Sequence, residues 1–126
     1  MDTKITHKGG CHCGAVKLEV QAPKDIEVLR CSCSICSMTG HLHLIVDEAD
    51  FQLLEGTDAI TEYRFNTKTA RHLFCKKCGV KPFYKPRSHP HGWSVNLNVL
   101  DQTTFDTVKV KEFDGANWEK NIDQIR

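Results

Sequence analysis

The chain has 126 residues with a formal net charge of +1, and 40% of its residues are hydrophobic. This length suits a single domain over residues 1–126 with a core of limited size. The near-neutral charge and scattered basic residues give no electrostatic support for nucleic acid or an acidic membrane surface as a partner, and no run approaches the ~18 apolar residues of a membrane span.

The N-terminal segment indicates an intracellular protein. Residues 1–10, MDTKITHKGG, contain no apolar run after their charges and therefore do not resemble a signal peptide. We expect a cytoplasmic or nuclear location, where thiols stay reduced and structural disulfides are uncommon. The odd total of seven cysteines also fits poorly with complete pairing. Metal binding remains as the common use of clustered cysteine.

Most of the predicted elements are short strands. Apolar and polar residues alternate with the period of two that is typical of half-buried strands. In the first segment this alternation would turn Val16, Leu18 and Val20 toward the core. In chain order, the predicted strands lie within residues 15–20, 26–31, 41–46, 51–55, 61–65, 71–75, 93–100 and 108–113. Roughly eight short strands predict a mainly β fold of the sandwich or barrel kind.

The last third of the chain carries three further signals. Lysines on one face of residues 108–113 are typical of an edge strand. Three prolines between residues 80 and 92 predict a loop, and only residues 116–126 have a weak helical pattern. A small β fold with this much loop buries little apolar surface, so metal sites would help to stabilise it.

The seven cysteines fall into three groups, which are Cys11 and Cys13, then Cys31, Cys33 and Cys36, then Cys75 and Cys78. In the third group, two residues between the ligands let the backbone curl so that both sulfurs face one ion. Gly14 follows the first pair and Gly79 the last, and glycine readily takes the positive φ that such a curl requires. These two pairs together predict a closed tetrahedral zinc site.

The middle group then stands alone with three thiols. Three protein ligands and one open position are the arrangement of catalytic zinc. Spacing does not force this partition, because Cys11 and Cys13 could instead join Cys31 and Cys33 and leave Cys36 with the third group. The division into four ligands and three would survive, but the site assignments would change.

Other interpretations of the middle cysteine group stay open. His41 or His43 could supply a fourth ligand and close a second structural zinc site. An iron–sulfur cluster also uses cysteine ligands, although the usual spacings are absent. His12 and His72 are candidates for an acid–base role, with packing or solvent exposure as the alternative.

Three quoted motifs carry a family resemblance. GGCHCGAVKLEV, CSCSICSMTG and RHLFCKKCGV resemble the glutathione-dependent formaldehyde-activating enzyme and centromere protein V family, over about Gly9 to Trp118. The resemblance implies the Mss4-like fold of small coiled β-sheets, stabilised by two zinc ions per chain. It implies that the structural zinc ligands are Cys11, Cys13, Cys75 and Cys78. The implied catalytic zinc ligands are Cys31, Cys33 and Cys36, with an open fourth position.

The resemblance also implies a reaction of the carbon–sulfur lyase class. Family members join glutathione to formaldehyde and give S-hydroxymethylglutathione, so a small thiol and a small aldehyde are the expected partners. Zinc can lower the pKa of an incoming thiol, or it can polarise the aldehyde oxygen. Three thiolate ligands weaken its Lewis acidity, which favours positioning of the substrate thiolate.

Two departures from the family keep other functions open. Ser37 and Met38 follow the triplet where basic residues are common in the family, and the residues that would bind an anionic tripeptide are not evident. The candidates for that binding are Arg64, Arg71, Lys81 and Arg87. The first alternative function is a non-catalytic zinc module for cytoskeletal or chromatin partners. The second is a thiol-based redox or metal-storage protein.

Overall fold

The computed structural model describes residues 3–32, 34–64, 71–86, 89 and 91–113. Its strands are β1 (Ile5–Gly10), β2 (Lys17–Ala22), β3 (Asp25–Cys31), β4 (Leu42–Asp47), β5 (Phe51–Glu55), β6 (Ile60–Tyr63), β7 (Arg71–Cys75), β8 (Phe83–Lys85), β9 (Gly92–Asn96) and β10 (Thr107–Phe113). An α-helix, α1, covers Ser34–Thr39, and short 3₁₀ turns cover Glu48–Asp50, Thr57–Ala59, Leu97–Val99 and Gln102–Thr104. The predicted mainly β fold is confirmed. No helix in the described ranges has both the length and the apolar character needed to cross a membrane.

The strands form two sheets. The smaller sheet has the order β1-β2-β5, and the larger has the order β10-β3-β4-β9-β8-β7-β6. Neighbouring strands are antiparallel except β10 and β3, which run parallel. The prediction of an edge strand over residues 108–113 is confirmed, because β10 lies at one edge of the larger sheet.

A single buried cluster contains residues from both sheets. Val16, Leu18 and Val20, on and just before β2, are fully buried, as their alternation predicts. Val28 of β3 and Val95 of β9 belong to the same cluster and are equally buried. Burial of this shared core favours packing of the smaller sheet against the larger one.

The structure corrects two predictions of local structure and adds two elements that were not predicted. Residues 80–92 contain the strand β8, because Pro82 and Pro86 flank the strand and leave its own N–H groups free to pair. The strand predicted over 93–100 ends at Asn96, whose side chain accepts a hydrogen bond from the Asn98 N–H and starts a 3₁₀ turn. Neither β1 nor α1 was expected. The helical tail predicted over 116–126 lies outside the described residues.

Candidate metal centres

Two turns of matching backbone geometry present the outer cysteine pairs. After β1, the Cys11 N–H donates to the Val16 carbonyl at 3.0 Å, and the Gly14 N–H donates to the Cys11 carbonyl at 3.2 Å. At the end of β7, the Cys75 N–H donates to the Val80 carbonyl at 3.0 Å. A Gly79 N–H to Cys75 carbonyl bond of 2.8 Å completes the second turn. Both turns therefore curl the chain around the first cysteine of the pair.

A left-handed glycine follows each pair. Gly14 has φ +82° and Gly79 has φ +78°, so the positive φ expected from the sequence is confirmed at both positions. A Cβ atom added at either glycine would meet no atom within 4 Å. Backbone conformation, and not lack of space, is therefore what favours glycine here.

The two turns bring four thiols together. The Sγ atoms of Cys11, Cys13, Cys75 and Cys78 all lie within 4.8 Å of one another. Two of the separations are 3.5 Å, for Cys11 to Cys13, and 3.6 Å, for Cys13 to Cys75. A zinc ion with Zn–S bonds of about 2.3 Å has tetrahedral S···S edges of about 3.8 Å. The residues therefore fit a four-thiolate zinc ion. The structure groups Cys11 and Cys13 with Cys75 and Cys78.

Two thiols of the cluster have pKa values shifted in opposite directions. The backbone N–H of Val80 is the main cause that lowers the pKa of Cys78 to about 6. The backbone N–H of Ala15 lowers the pKa of Cys13, but desolvation and the neighbouring thiols outweigh it and raise that pKa to about 11. Backbone N–H groups thus already favour the thiolate form at one corner of the cluster.

A second donor group lies in the larger sheet. Cys31, Cys36 and His43 each offer a ligand atom, and these atoms lie within 4.8 Å of one another. The three residues are 8%, 4% and 5% exposed. Cys33, the remaining member of the predicted triplet, lies outside the described residues. Two thiols and an imidazole suit zinc.

Three elements converge on this second group. Cys31 ends β3, Cys36 lies on α1, and His43 lies on β4. The His41 N–H donates to the Cys36 carbonyl at 3.2 Å and ties α1 to the start of β4. Phe113, at the end of β10, lies opposite Cys31 in the sheet register and packs with both cysteines.

The two histidines of this region have different roles. His43 Nδ1 lies 2.9 Å from Ser94 Oγ and 3.2 Å from Tyr84 Oη. His41 Nε2 lies 3.0 Å from the same Ser94 Oγ, but His41 is not a member of the donor group. Burial, helped by the charge of His43, holds the pKa of His41 well below its usual range. Sequence spacing did not distinguish the two histidines as candidate ligands. In the structure, His43 is the one that lies near the thiols of Cys31 and Cys36.

A buried cation and ring stack lie next to these residues. The His72 ring stacks on Tyr84 with centroids 4.8 Å apart. Lys81 Nζ lies 2.9 Å from His72 Nδ1 and 4.1 Å from the Tyr84 ring centroid. Lys81 is only 3% exposed. Sequence reasoning missed this network, because the strand register that assembles it has no local sequence signal.

The structure describes three of the four candidate residues for binding an anionic tripeptide, and these three differ in burial and ion pairing. Lys81 is buried and does not present its charge at the surface. Arg64 and Arg71 both pair with Glu62. Arg87 lies outside the described residues.

Comparison with known proteins gives consistent matches along most of the chain. A curated protein of Halomonas elongata, named "Putative glutathione-dependent formaldehyde-activating enzyme", is 32% identical over an alignment of 105 residues that covers 73% of this chain and 67% of that protein. A crystal structure of a Rhodobacter sphaeroides protein matches with a TM-score of 0.70 and 32% identity, covering 82% of this chain and 99% of that one. The family model described as glutathione-dependent formaldehyde-activating enzyme matches residues 6–115. The chain therefore belongs to the glutathione-dependent formaldehyde-activating enzyme family.

Proposed function

We propose that the chain is an enzyme that joins glutathione to formaldehyde, with S-hydroxymethylglutathione as the product, and catalyses the reverse cleavage. Family membership supports this substrate pair. In the forward direction the glutathione thiol loses its proton, and its sulfur forms a bond to the formaldehyde carbon. The carbonyl oxygen takes up a proton and becomes a hydroxyl group. The reverse direction breaks the same carbon–sulfur bond, which is carbon–sulfur lyase chemistry.

The single observation that carries this proposal is the buried donor group apart from the four-cysteine cluster. Cys31, Cys36 and His43 offer a second metal centre, with Cys33 as an additional ligand expected from the sequence. A zinc ion held there would bind the incoming thiol and lower its pKa, so that the thiolate forms near neutral pH. Cys31, Cys36 and His43 would be three protein ligands, and a catalytic zinc site with Cys33 as a fourth would take the substrate thiol by expansion in the transition state.

The protein residues would contribute orientation and a low dielectric environment. The burial of Cys31 and Cys36 limits water around the sulfur atoms, which strengthens electrostatic interactions at the centre. The hydroxyl groups of Ser94 and Tyr84 fix the orientation of the His43 imidazole. The four-cysteine cluster, in contrast, would stabilise the fold and take no part in the reaction.

An exchange experiment tests the proposed function. NMR of ¹³C-formaldehyde with glutathione measures the rate at which the label moves between free formaldehyde and S-hydroxymethylglutathione, with and without protein. We expect the zinc-loaded wild-type protein to accelerate the exchange in both directions. We expect Cys36→Ser to remove the acceleration while the chain stays folded.

The control is a substitution of an exposed neighbour on the same helix. Ser37 is exposed on α1, so Ser37→Ala should keep the wild-type rate. No acceleration by a wild-type protein that contains about two zinc ions per chain would refute the proposed reaction.

A further inference from the structure

We propose that His43 is a nitrogen ligand of the metal ion at the second centre, and that Ser94 and Tyr84 fix its orientation. This inference rests on the proposed function in one respect, because that function places a metal ion at this centre. It chooses His43 over His41, which sequence spacing left open, for a centre that the family resemblance describes by cysteines alone. It also assigns the positioning residues around that imidazole.

The position and burial of the His43 ring suit a metal ligand. One ring nitrogen of His43 lies within 4.8 Å of both the Cys31 and Cys36 sulfurs. Zinc bound to sulfur at about 2.3 Å and to nitrogen at about 2.0–2.1 Å requires donor separations of this order. His43 is 5% exposed, so its imidazole faces the protein interior. The imidazole therefore already occupies a place suited to a ligand.

The hydrogen bonds of the His43 ring indicate which of its two nitrogens would bind the metal ion. His43 Nδ1 is the nitrogen next to Ser94 Oγ and Tyr84 Oη, so Nε2 is the nitrogen that would bind a metal ion. Histidines that bind metals usually donate their other ring N–H to an acceptor, which fixes the tautomer and the ring orientation. We assign an Nδ1–H group on His43 that donates to Ser94 Oγ.

The same assignment accounts for the neighbouring histidine. A Ser94 hydroxyl that accepts from His43 still has its own proton, which it can donate to His41 Nε2 at 3.0 Å. His41 Nε2 is thus the acceptor in this arrangement, and the Ser94 hydroxyl serves both rings. His43 and His41 thus share one hydroxyl but differ in one respect, which is proximity to the thiols.

Contacts with the Tyr84 ring help to hold its hydroxyl group beside His43. The His72 ring lies nearly parallel to the Tyr84 ring, at an angle of 11°. Lys81 Nζ lies 4.1 Å from the Tyr84 ring centroid and 2.9 Å from His72 Nδ1. A Tyr84 ring held by stacking and cation–π contact keeps its hydroxyl beside His43 Nδ1.

The experiment detects the metal–nitrogen bond directly. Protein labelled with ¹⁵N-histidine is loaded with ¹¹³Cd²⁺ as the probe, and long-range ¹H–¹⁵N spectra are recorded. We expect one imidazole nitrogen to be split by coupling to ¹¹³Cd. We expect the splitting to disappear in His43→Gln and to persist in the matched control, His41→Gln.

The possible failures can be told apart by elemental analysis of the same samples. About two cadmium ions per chain without any splitting, or a splitting that survives His43→Gln, would overturn the assignment of His43 and leave a cysteine-only centre. Only about one ion per chain in the wild-type protein would overturn both the ligand assignment and the metal-dependent function.

The positioning role has its own readout. Ser94→Ala removes the acceptor for His43 Nδ1 but leaves the ligand atoms in place, and loss of such a partner typically weakens metal affinity about 10- to 100-fold. Competition with a chromophoric chelator measures this loss at the second site. We also expect the ¹¹³Cd splitting at His43 to remain in Ser94→Ala. Unchanged affinity would overturn the positioning role of Ser94.

Discussion

The turns that hold the four-cysteine cluster depend on one left-handed glycine each. Gly14 and Gly79 have similar φ values of +82° and +78°, and each follows a pair of thiols. An L-residue in this conformation costs about 1–2 kcal/mol, because its Cβ crowds the following carbonyl oxygen. The strain would oppose the curl that brings the two sulfurs of a pair to one side.

Gly79→Ala tests this dependence. We expect the free energy of unfolding to fall by about 1–2 kcal/mol in the zinc-loaded protein. Urea denaturation at constant zinc concentration measures the change. Gly79→Asn is the matched control, because asparagine tolerates the left-handed region better than alanine and should cost less. Equal costs for the two variants would mean that the conformation of Gly79 is not the reason for the loss.

Sequence predicts the residues of the candidate sites unevenly. The glycine after each cysteine pair carries its own conformational signal, so Gly14 and Gly79 could be predicted. The choice between His41 and His43 could not, because both lie near the triplet in sequence. Both rings lie beside Ser94 Oγ, and only the tertiary structure shows that His43 is the one grouped with Cys31 and Cys36.

Among the elements, β10 and α1 determine the geometry of the second centre. The parallel pairing of β10 with β3 places Phe113 beside Cys31. The Ser32 N–H donates to the Phe113 carbonyl at 3.0 Å and continues this pairing past the end of β3. Phe113 is 4% exposed and packs with Cys31, Cys36 and Ile35 in a cluster separate from the main core.

Phe113→Ala should therefore weaken the second centre selectively. Removal of a buried phenylalanine typically costs about 3–5 kcal/mol, and here the space would open next to Cys31 and Cys36. We expect reduced metal affinity at the second centre, with the four-cysteine cluster still loaded. Chelator competition resolved by site, together with thermal denaturation, measures both effects.

A substitution on the same strand provides the control for Phe113→Ala. Val110 is 42% exposed, so Val110→Ala should change stability by less than about 0.5 kcal/mol and leave metal binding unchanged. Equal loss of metal from both centres in Phe113→Ala would contradict the selective role of this packing.

Elements were predictable where alternation was strict. The strands β2 and β3 overlap their predicted segments and bury alternate residues along most of their length, because half-buried strands carry the period of two. The sequence did not predict β8, because prolines on both sides of a three-residue segment are typical of a loop. α1 was missed because a six-residue helix at a metal centre is determined by tertiary contacts and not by amphipathic pattern.

In the whole molecule, the four-cysteine cluster links the two sheets. Cys11 and Cys13 lie between β1 and β2 of the smaller sheet, whereas Cys75 ends β7 of the larger sheet. The contact between Cys13 and Cys75 spans 62 residues of sequence. A metal ion at this position would close that long loop and supplement a core of modest size.

Metal removal should therefore unfold the domain. Structural zinc contributes an apparent ~10–16 kcal/mol in small domains, which is comparable to the ~5–15 kcal/mol stability of a typical domain. We expect a strong chelator to abolish the cooperative thermal transition and the dispersed NMR spectrum, and zinc addition to restore both. A metal-free protein with an unchanged melting temperature would show that the shared core alone holds the sheets together.

We propose that the chain has two metal centres of different function, and the metal content of two proteins distinguishes this from a single centre. Wild-type protein and Cys36→Ser are purified without chelators and measured by elemental analysis, with circular dichroism to verify the fold. We expect about two zinc ions per chain in the wild-type protein and about one in a folded Cys36→Ser variant. One ion in the wild-type protein, or two retained in the variant, would contradict it.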